Sequence, residues 1–133
     1  HDEGRGEKDD ALVALNYLVE KYPNLPVTLC GFSFGSRVGM QVGLNDERVR
    51  NLISIGTPVG MYDFSFLTSC RKPILFVHGE LDEFGSPANL ETLIAQMPPG
   101  TDIKLVVIPG ADHFFDGHLD ELKQAISTWI ATQ

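Results

Sequence analysis

Three features are scarce or missing in this 133-residue chain: basic residues, long apolar segments and cysteine. Asp and Glu number 18 against 10 Lys and Arg, a net charge of −8 with no basic cluster, which argues against nucleic acid and anionic membranes as partners. No apolar run approaches the roughly 20 residues that span a bilayer. Cys30 and Cys70 lack metal-ligand spacing and are too few for a disulfide framework, so we expect a cytoplasmic chain, with one disulfide left open.

The composition is that of an ordinary soluble globular domain, with 43% hydrophobic and 21% charged residues. The length suits a single domain over residues 1–133 that buries about two thirds of the surface of its unfolded chain. The charged, glycine-containing first ten residues do not resemble a signal peptide. Because the chain starts with His1 rather than Met, we expect a fragment, a processed product or a trimmed chain.

Segments with helical spacing of apolar residues alternate with short apolar runs along the chain. The runs are nearly continuous, as in parallel strands that are buried on both faces. This alternation predicts an α/β fold, a parallel sheet of about four strands with helices on both faces. The predicted order is helix 7–22, strand 27–30, helix 36–44, strand 51–55, loop 56–73, strand 74–78, helix 87–96, strand 103–108 and helix 117–132.

The first predicted strand runs into Gly31-Phe32-Ser33-Phe34-Gly35, which fits the nucleophile pattern G-x-S-x-G. The motif follows an apolar strand and precedes a helix, the setting in which a sharp turn lifts the serine hydroxyl clear of the sheet. We expect small residues to be required on both sides of the turn, and both are glycine. The amide of Phe34, at the start of the helix, is the predicted oxyanion donor. The alternative is that Ser33 is an ordinary turn serine in a glycine-rich loop.

A serine hydroxyl needs a base to become nucleophilic, and the base is commonly a histidine oriented by a carboxylate. Asp82 follows the third predicted strand and His113 follows the fourth. Both therefore lie beyond the carboxyl ends of strands, at the same edge of the sheet as Ser33.

Other side chains compete for these two roles. Glu80 and Glu83 are alternatives to Asp82 as the acid. His118 is an alternative to His113, although it falls in the first turn of the last predicted helix. His78 ends a strand and is interpreted as a structural histidine.

The stretches CGFSFGS, HGELDEFGSP and PGADHFF resemble the nucleophile, acid and histidine segments of the α/β-hydrolase superfamily, in particular small dienelactone-hydrolase-like hydrolases and esterases. The resemblance covers nearly the whole chain, and three motifs in the correct order are more specific than any one of them. It favours Asp82 as the acid, because the family acid follows the His-Gly pair by a few residues. Dienelactone hydrolases carry cysteine at the nucleophile position, so Ser33 indicates the esterase-like members.

The chain also departs from this family. A complete member has about eight strands, and the four that would precede the helix near Glu7 are missing from this sequence. The resemblance implies that one of the missing loops supplies the second oxyanion amide, whose loss costs about 10²–10³ in rate. We therefore expect that another chain supplies this half, that activity is much reduced, or that the chain self-associates through the unpaired apolar edge of strand 27–30.

Several aromatic residues are expected near the carboxyl edge of the sheet. Phe32, Tyr62, Phe64 and Phe66 are predicted to line a substrate pocket, with Phe34 beside them; the alternative for each is core packing. The loop 56–73 is long enough only for a short flap, which excludes a large lid at that point.

These observations predict a serine hydrolase that acts on small carboxylic esters through Ser33, His113 and Asp82 and an acyl-enzyme, without metal or cofactor. Gly4-Arg5-Gly6 follows no strand and lacks a third glycine, so it does not predict a dinucleotide site. The alternative function is that of a catalytically silent hydrolase fragment, which self-associates or binds a partner through its exposed sheet edge.

Overall fold

The computed structural model describes residues 4–133 and shows a four-stranded sheet with helices on both faces. Neighbouring strands pair in the order β1-β2-β3-β4, and every pair is parallel, which confirms the predicted fold class. The expectation based on His1 concerns residues outside the described range. The strands are β1 (Val27–Phe32), β2 (Val49–Ile55), β3 (Ile74–Gly79) and β4 (Ile103–Ile108). The helices are α1 (Arg5–Lys21), α2 (Phe34–Asn45), α3 (Pro87–Ala95) and α4 (Leu119–Ile130), with a 3₁₀ helix over Ser65–Ser69.

Alternate side chains of β3 enter two separate cores. Ile74 and Phe76 face the core formed with α1, α2, α3 and the 3₁₀ helix, whereas Leu75 and Val77 face the core that includes Trp129 of α4. All four strand side chains are fully buried, and each contributes about 1.5–3 kcal/mol to folding. Burial on both faces explains why this strand is apolar throughout rather than alternating.

The observed elements differ from the predicted ones mainly at their ends. β1 continues to Phe32, two residues further than predicted, because its pairing with β2 runs that far. α2 begins at Phe34 rather than at residue 36. The last helix begins at Leu119, since Gly117 has a φ of 76°, a left-handed conformation outside the helical range. The predicted loop 56–73 contains the short 3₁₀ helix.

β1 is the least covered strand of the sheet. Within residues 4–133 it pairs with β2 alone, so its other edge has no partner strand. Thr28, Cys30 and Phe32 on one face are exposed, whereas Val27 and Leu29 on the other face are partly buried against the first core. The carboxyl end of this strand nevertheless leads directly into the G-x-S-x-G turn.

Candidate active site

Ser33 occupies the sharp turn between β1 and α2. Its φ of 56° and ψ of −125° are rare for a residue with a side chain, and such a conformation costs about 1–3 kcal/mol. The surrounding backbone holds it in place: the amide of Ser33 donates to the carbonyl oxygen of Ile55 at 2.9 Å. The hydroxyl and amide of Ser36 both donate to the carbonyl oxygen of Ser33, at 2.6 and 2.9 Å.

The two glycines of the motif have different requirements. A Cβ atom at Gly31 would lie 2.5 Å from the carbonyl oxygen of Gly35 and 2.7 Å from the Cα atom of Ser36, so a side chain there would displace the backbone of α2. A Cβ atom at Gly35 would meet nothing within 4 Å. The expectation that both positions must be small is therefore wrong for Gly35, because its Cα points away from the turn into open space.

The structure brings Ser33, His113 and Asp82 into one hydrogen-bonded series. The Nε2 atom of His113 lies 2.8 Å from the Oγ atom of Ser33, and its Nδ1 atom lies 2.7 Å from the Oδ2 atom of Asp82. His113 is 2% exposed and Asp82 is 6% exposed. Because a carboxylate only accepts, the Nδ1–H of His113 donates to Asp82, and Nε2 is left to accept from the serine hydroxyl.

Two loops position the acid and the histidine. Asp82 lies in the turn after β3, where its Oδ1 atom accepts from the amide of Phe84 at 2.8 Å. The loop after β4 carries His113, and the amide of Leu81 donates to the carbonyl oxygen of Ala111 at 2.9 Å. A Cβ atom at Gly79 would lie 2.5 Å from two backbone oxygens of this second loop. The absence of a side chain at Gly79 therefore allows the two loops to lie close together.

The competing side chains are placed elsewhere. Glu80 accepts from the amide of Gly110 at 2.9 Å, and Glu83 is exposed. His118 pairs with Glu121 on the surface at 2.8 Å. His78 is fully buried below the turn that carries Asp82.

Three phenylalanine rings surround the imidazole of His113. The ring centroids of Phe32, Phe84 and Phe114 lie 5.3, 4.6 and 5.0 Å from that of His113, and the last two rings meet it edge to face. Such contacts restrict the rotation of the imidazole. Phe114 was not among the predicted site residues, although its position next to His113 in the chain is a signal that could have identified it.

A small cleft of about 170 Å³ opens beside the Oγ atom of Ser33. Phe34 and Tyr62 stack at one side of it, with ring centroids 5.4 Å apart. Phe34 is also the first residue of α2, so its amide lies at the positive end of the helix dipole. No charged carboxylate, lysine or arginine lines the cleft, whose lining residues are Ser33, Phe34, Pro58, Met61, Tyr62, Phe84, His113 and Phe114.

Three of the predicted pocket residues do not line this cleft. Phe64 is 3% exposed and belongs to the first core, and Phe66 packs against that core with its ring 5.7 Å from Phe64. The physical reason is the 3₁₀ helix over Ser65–Ser69, which turns this part of the loop towards α3. Phe32 lies beside His113 rather than in the cleft.

A larger cavity lies elsewhere in the structure. It is a groove of about 610 Å³ between β4 and α4, lined by Val106, Ala125 and Trp129 among others. Its lining contains no serine, cysteine or histidine, so it offers no paired nucleophile and base. The smaller cleft at Ser33 is therefore the candidate active site.

Residues 4–133 contain neither a group of metal-binding side chains nor a membrane-spanning helix. No three His, Cys, Asp or Glu side chains are grouped so that they could hold a metal ion. No helix in this part of the chain has the length and apolar character needed to cross a membrane.

Comparisons with known proteins agree with the fold. The chain is 34% identical over 138 aligned residues to an uncharacterized protein of Rickettsia prowazekii (strain Madrid E), a match that covers 98% of this chain and 58% of that protein. A solved protein of unknown function from Agrobacterium tumefaciens superimposes with a TM-score of 0.90 and 30% identity, covering 98% of this chain and 62% of the other. An alpha-beta serine hydrolase homologue from Coxiella burnetii superimposes with a TM-score of 0.84 and 32% identity, covering 93% of this chain and 58% of the other.

The chain thus spans between 58% and 62% of the length of these three proteins. A sequence model described as an alpha/beta hydrolase domain matches residues 6–129. This match confirms the predicted family resemblance. The chain belongs to the alpha/beta hydrolase domain family.

Proposed function

We infer that this chain is a serine hydrolase that cleaves small carboxylic esters, with Ser33 as nucleophile, His113 as base and Asp82 as the carboxylate that orients His113. The observation that carries this inference is the pair of hydrogen bonds at His113, 2.8 Å to Ser33 and 2.7 Å to Asp82. Both bonds are within the distance at which a proton can pass between the groups.

The geometry suggests a two-step reaction. The Oγ atom of Ser33 attacks the ester carbonyl carbon while Nε2 of His113 takes the hydroxyl proton, and the developing oxyanion faces the amide of Phe34. The intermediate collapses, the bond to the alcohol breaks, and His113 returns the proton to the leaving oxygen. Water then attacks the acyl-enzyme with His113 again as base, which releases the carboxylic acid and regenerates Ser33.

The size and polarity of the cleft support a small, uncharged acyl group. Its volume of about 170 Å³ is below the roughly 300–1,000 Å³ of sites for drug-sized ligands. Met61, Tyr62 and Phe84 give it apolar walls. The description of the Coxiella burnetii protein as a serine hydrolase homologue also supports this reaction class.

A fluorophosphonate probe tests the proposal directly. Such a reagent phosphonylates a serine only when a base activates it, so folded wild-type protein is expected to gain one adduct by intact mass spectrometry. The Ser33→Ala variant and heat-unfolded wild type should gain none. Ser127→Ala is the matched control, because Ser127 is exposed on α4, away from the cleft, and this variant should be labelled like the wild type. Equal labelling of the Ser33→Ala variant, or no labelling of the wild type, would contradict the proposal.

A second candidate function is self-association through β1, supported by the edge that pairs with no strand among residues 4–133 and by the exposed Cys30 and Phe32. An unpaired strand edge is a template for pairing with another chain. Light scattering should then show a mean mass above that of the monomer, and this mass should rise with protein concentration. Cys30→Lys, which places a charge on that strand, should restore the monomer, whereas Thr92→Lys on α3 should not. A monomer at all concentrations would rule this candidate out.

A further inference from the structure

His78 is a buried histidine that the proposed reaction does not use. It lies near the end of β3, and none of its surface is exposed. Its Nε2 atom lies 2.5 Å from the carbonyl oxygen of Gly85. Since a carbonyl oxygen only accepts, Nε2 carries the proton and donates this hydrogen bond.

The other ring nitrogen of His78 is unsatisfied. With the proton on Nε2, Nδ1 is an acceptor, and among residues 4–133 no donor reaches it. Burying such an atom without a partner is costly, so packing alone would favour an apolar side chain at this position. The Nε2–H group, however, donates a hydrogen bond to the carbonyl oxygen of Gly85, which an apolar side chain could not do.

The carbonyl group that His78 holds belongs to the turn that carries Asp82. Within that turn the amide of Phe84 donates to Oδ1 of Asp82 at 2.8 Å, and the amide of Asp82 donates to the carbonyl oxygen of Gly79 at 3.2 Å. Before Asp82, the amide of Leu81 donates to the carbonyl oxygen of Ala111 in the loop after β4. Beyond Asp82, two hydrogen bonds hold the turn from outside: the amide of Gly60 donates to the carbonyl oxygen of Phe84 at 2.9 Å, and His78 donates to that of Gly85. Gly60 lies in a loop, whereas His78 lies on the central, fully buried strand β3. The side chain of His78 thus ties the end of this turn, at Gly85, to the sheet, whereas the backbone bond to Gly79 ties its beginning.

The same N–H group also lies close to the carboxylate. Nε2 of His78 is 3.7 Å from Oδ2 of Asp82, the oxygen that accepts from His113. This distance is too long for a hydrogen bond, but it places the positive end of the N–H dipole beside the negative oxygen. His78 thus lies beside both the turn that carries Asp82 and the carboxylate itself.

We propose that His78 is a positioning residue, which keeps the carboxylate of Asp82 aimed at Nδ1 of His113. This proposal rests on the proposed function, because His78 acts through Asp82 and His113 and touches no substrate. Displacing a catalytic group by about 1 Å costs about 10²-fold in rate. Loss of the donor at position 78 should therefore slow the chemical step with little change in substrate binding.

Two substitutions at position 78 distinguish the loss of the hydrogen-bond donor from a change in the size of the side chain. His78→Leu removes the N–H group, and we expect kcat for p-nitrophenyl acetate to fall about 10–100-fold with KM within about twofold of wild type. His78→Gln retains an amide N–H at a similar distance from the backbone, and it should recover kcat to within about threefold. His118→Leu, the same change at the surface pair with Glu121, should leave both constants unchanged.

Proton NMR gives a readout that does not need turnover. The proton shared by His113 and Asp82 should give a far-downfield resonance in wild type and in His78→Gln, and this resonance should be lost in His78→Leu. Wild-type kcat together with the intact resonance in His78→Leu would overturn the proposal, as would equal impairment of both variants. If His78→Leu does not fold, the tautomer of His78 is measured by NMR in isotope-labelled wild type. The proposal requires the proton on Nε2, and a proton on Nδ1 would overturn the proposal. Absence of fluorophosphonate labelling in wild type would instead count against the proposed function.

Discussion

Alanine in place of Ser33 is expected to lower kcat for p-nitrophenyl acetate by about 10⁶-fold while the protein remains folded. The substitution removes the only oxygen within reach of Nε2 of His113 in the described structure, so no acyl-enzyme can form. The backbone should be unaffected, because alanine meets the same conformational cost as serine at a φ of 56°. The measurement is steady-state hydrolysis by the two purified proteins, with thermal unfolding as the check on folding.

The matched control for this experiment is Ser127→Ala, which removes a hydroxyl from the exposed face of α4. Its kcat should equal that of wild type within about twofold, since surface changes away from a site have small effects. A Ser33→Ala protein that hydrolyses the ester at the wild-type rate would rule out Ser33 as the nucleophile. The residual rate also reports what the Phe34 amide and the cleft contribute without a nucleophile.

Asparagine in place of Asp82 is expected to lower kcat by about 10⁴-fold. An amide at this position can donate to Nδ1 of His113, which moves the imidazole proton to Nε2. Nε2 can then no longer accept the hydroxyl proton of Ser33. The fold should persist, because the amide oxygen can still accept from the backbone of Phe84 as Oδ1 does now.

Glu83→Gln is the control for the loss of negative charge in the same turn. Glu83 is exposed and one residue from Asp82, so the two variants lose the same charge at nearly the same place in the chain. We expect kcat of Glu83→Gln within about twofold of wild type. If the two variants lost activity equally, the local field of the turn, rather than the hydrogen bond to His113, would explain the effect.

The positions of Ser33, Asp82 and His113 could be predicted because each follows an apolar strand in a parallel sheet. The carboxyl ends of such strands meet at one edge, so chain order and strand pattern are enough to bring the three loops together. The same logic does not choose among side chains within a loop. Glu80 lies two residues from Asp82, and only the structure places its carboxylate on the amide of Gly110.

The aromatic residues were harder to assign. Phe64, Phe66 and Tyr62 are all aromatic residues of the predicted loop 56–73, so the sequence does not distinguish them. The burial of Phe64 and Phe66 depends on a 3₁₀ helix that has no periodic pattern in the sequence. Phe64 therefore lies in the core, whereas Tyr62 reaches the cleft. The donor role of His78 was equally hidden, because it depends on a backbone oxygen seven residues later in the chain.

The spatial order of the strands has a consequence for how the site forms during synthesis. Because neighbouring strands of the sheet are also consecutive in the chain, the partner of each strand after β1 has already been synthesised when that strand leaves the ribosome. The elbow with Ser33 emerges first, and the loop with His113 emerges only after β4. A chain that stalled before β4 would lack the histidine that lies 2.8 Å from the hydroxyl of Ser33. In the proposed reaction, His113 can therefore act as base only after β4 and the loop that follows it have formed.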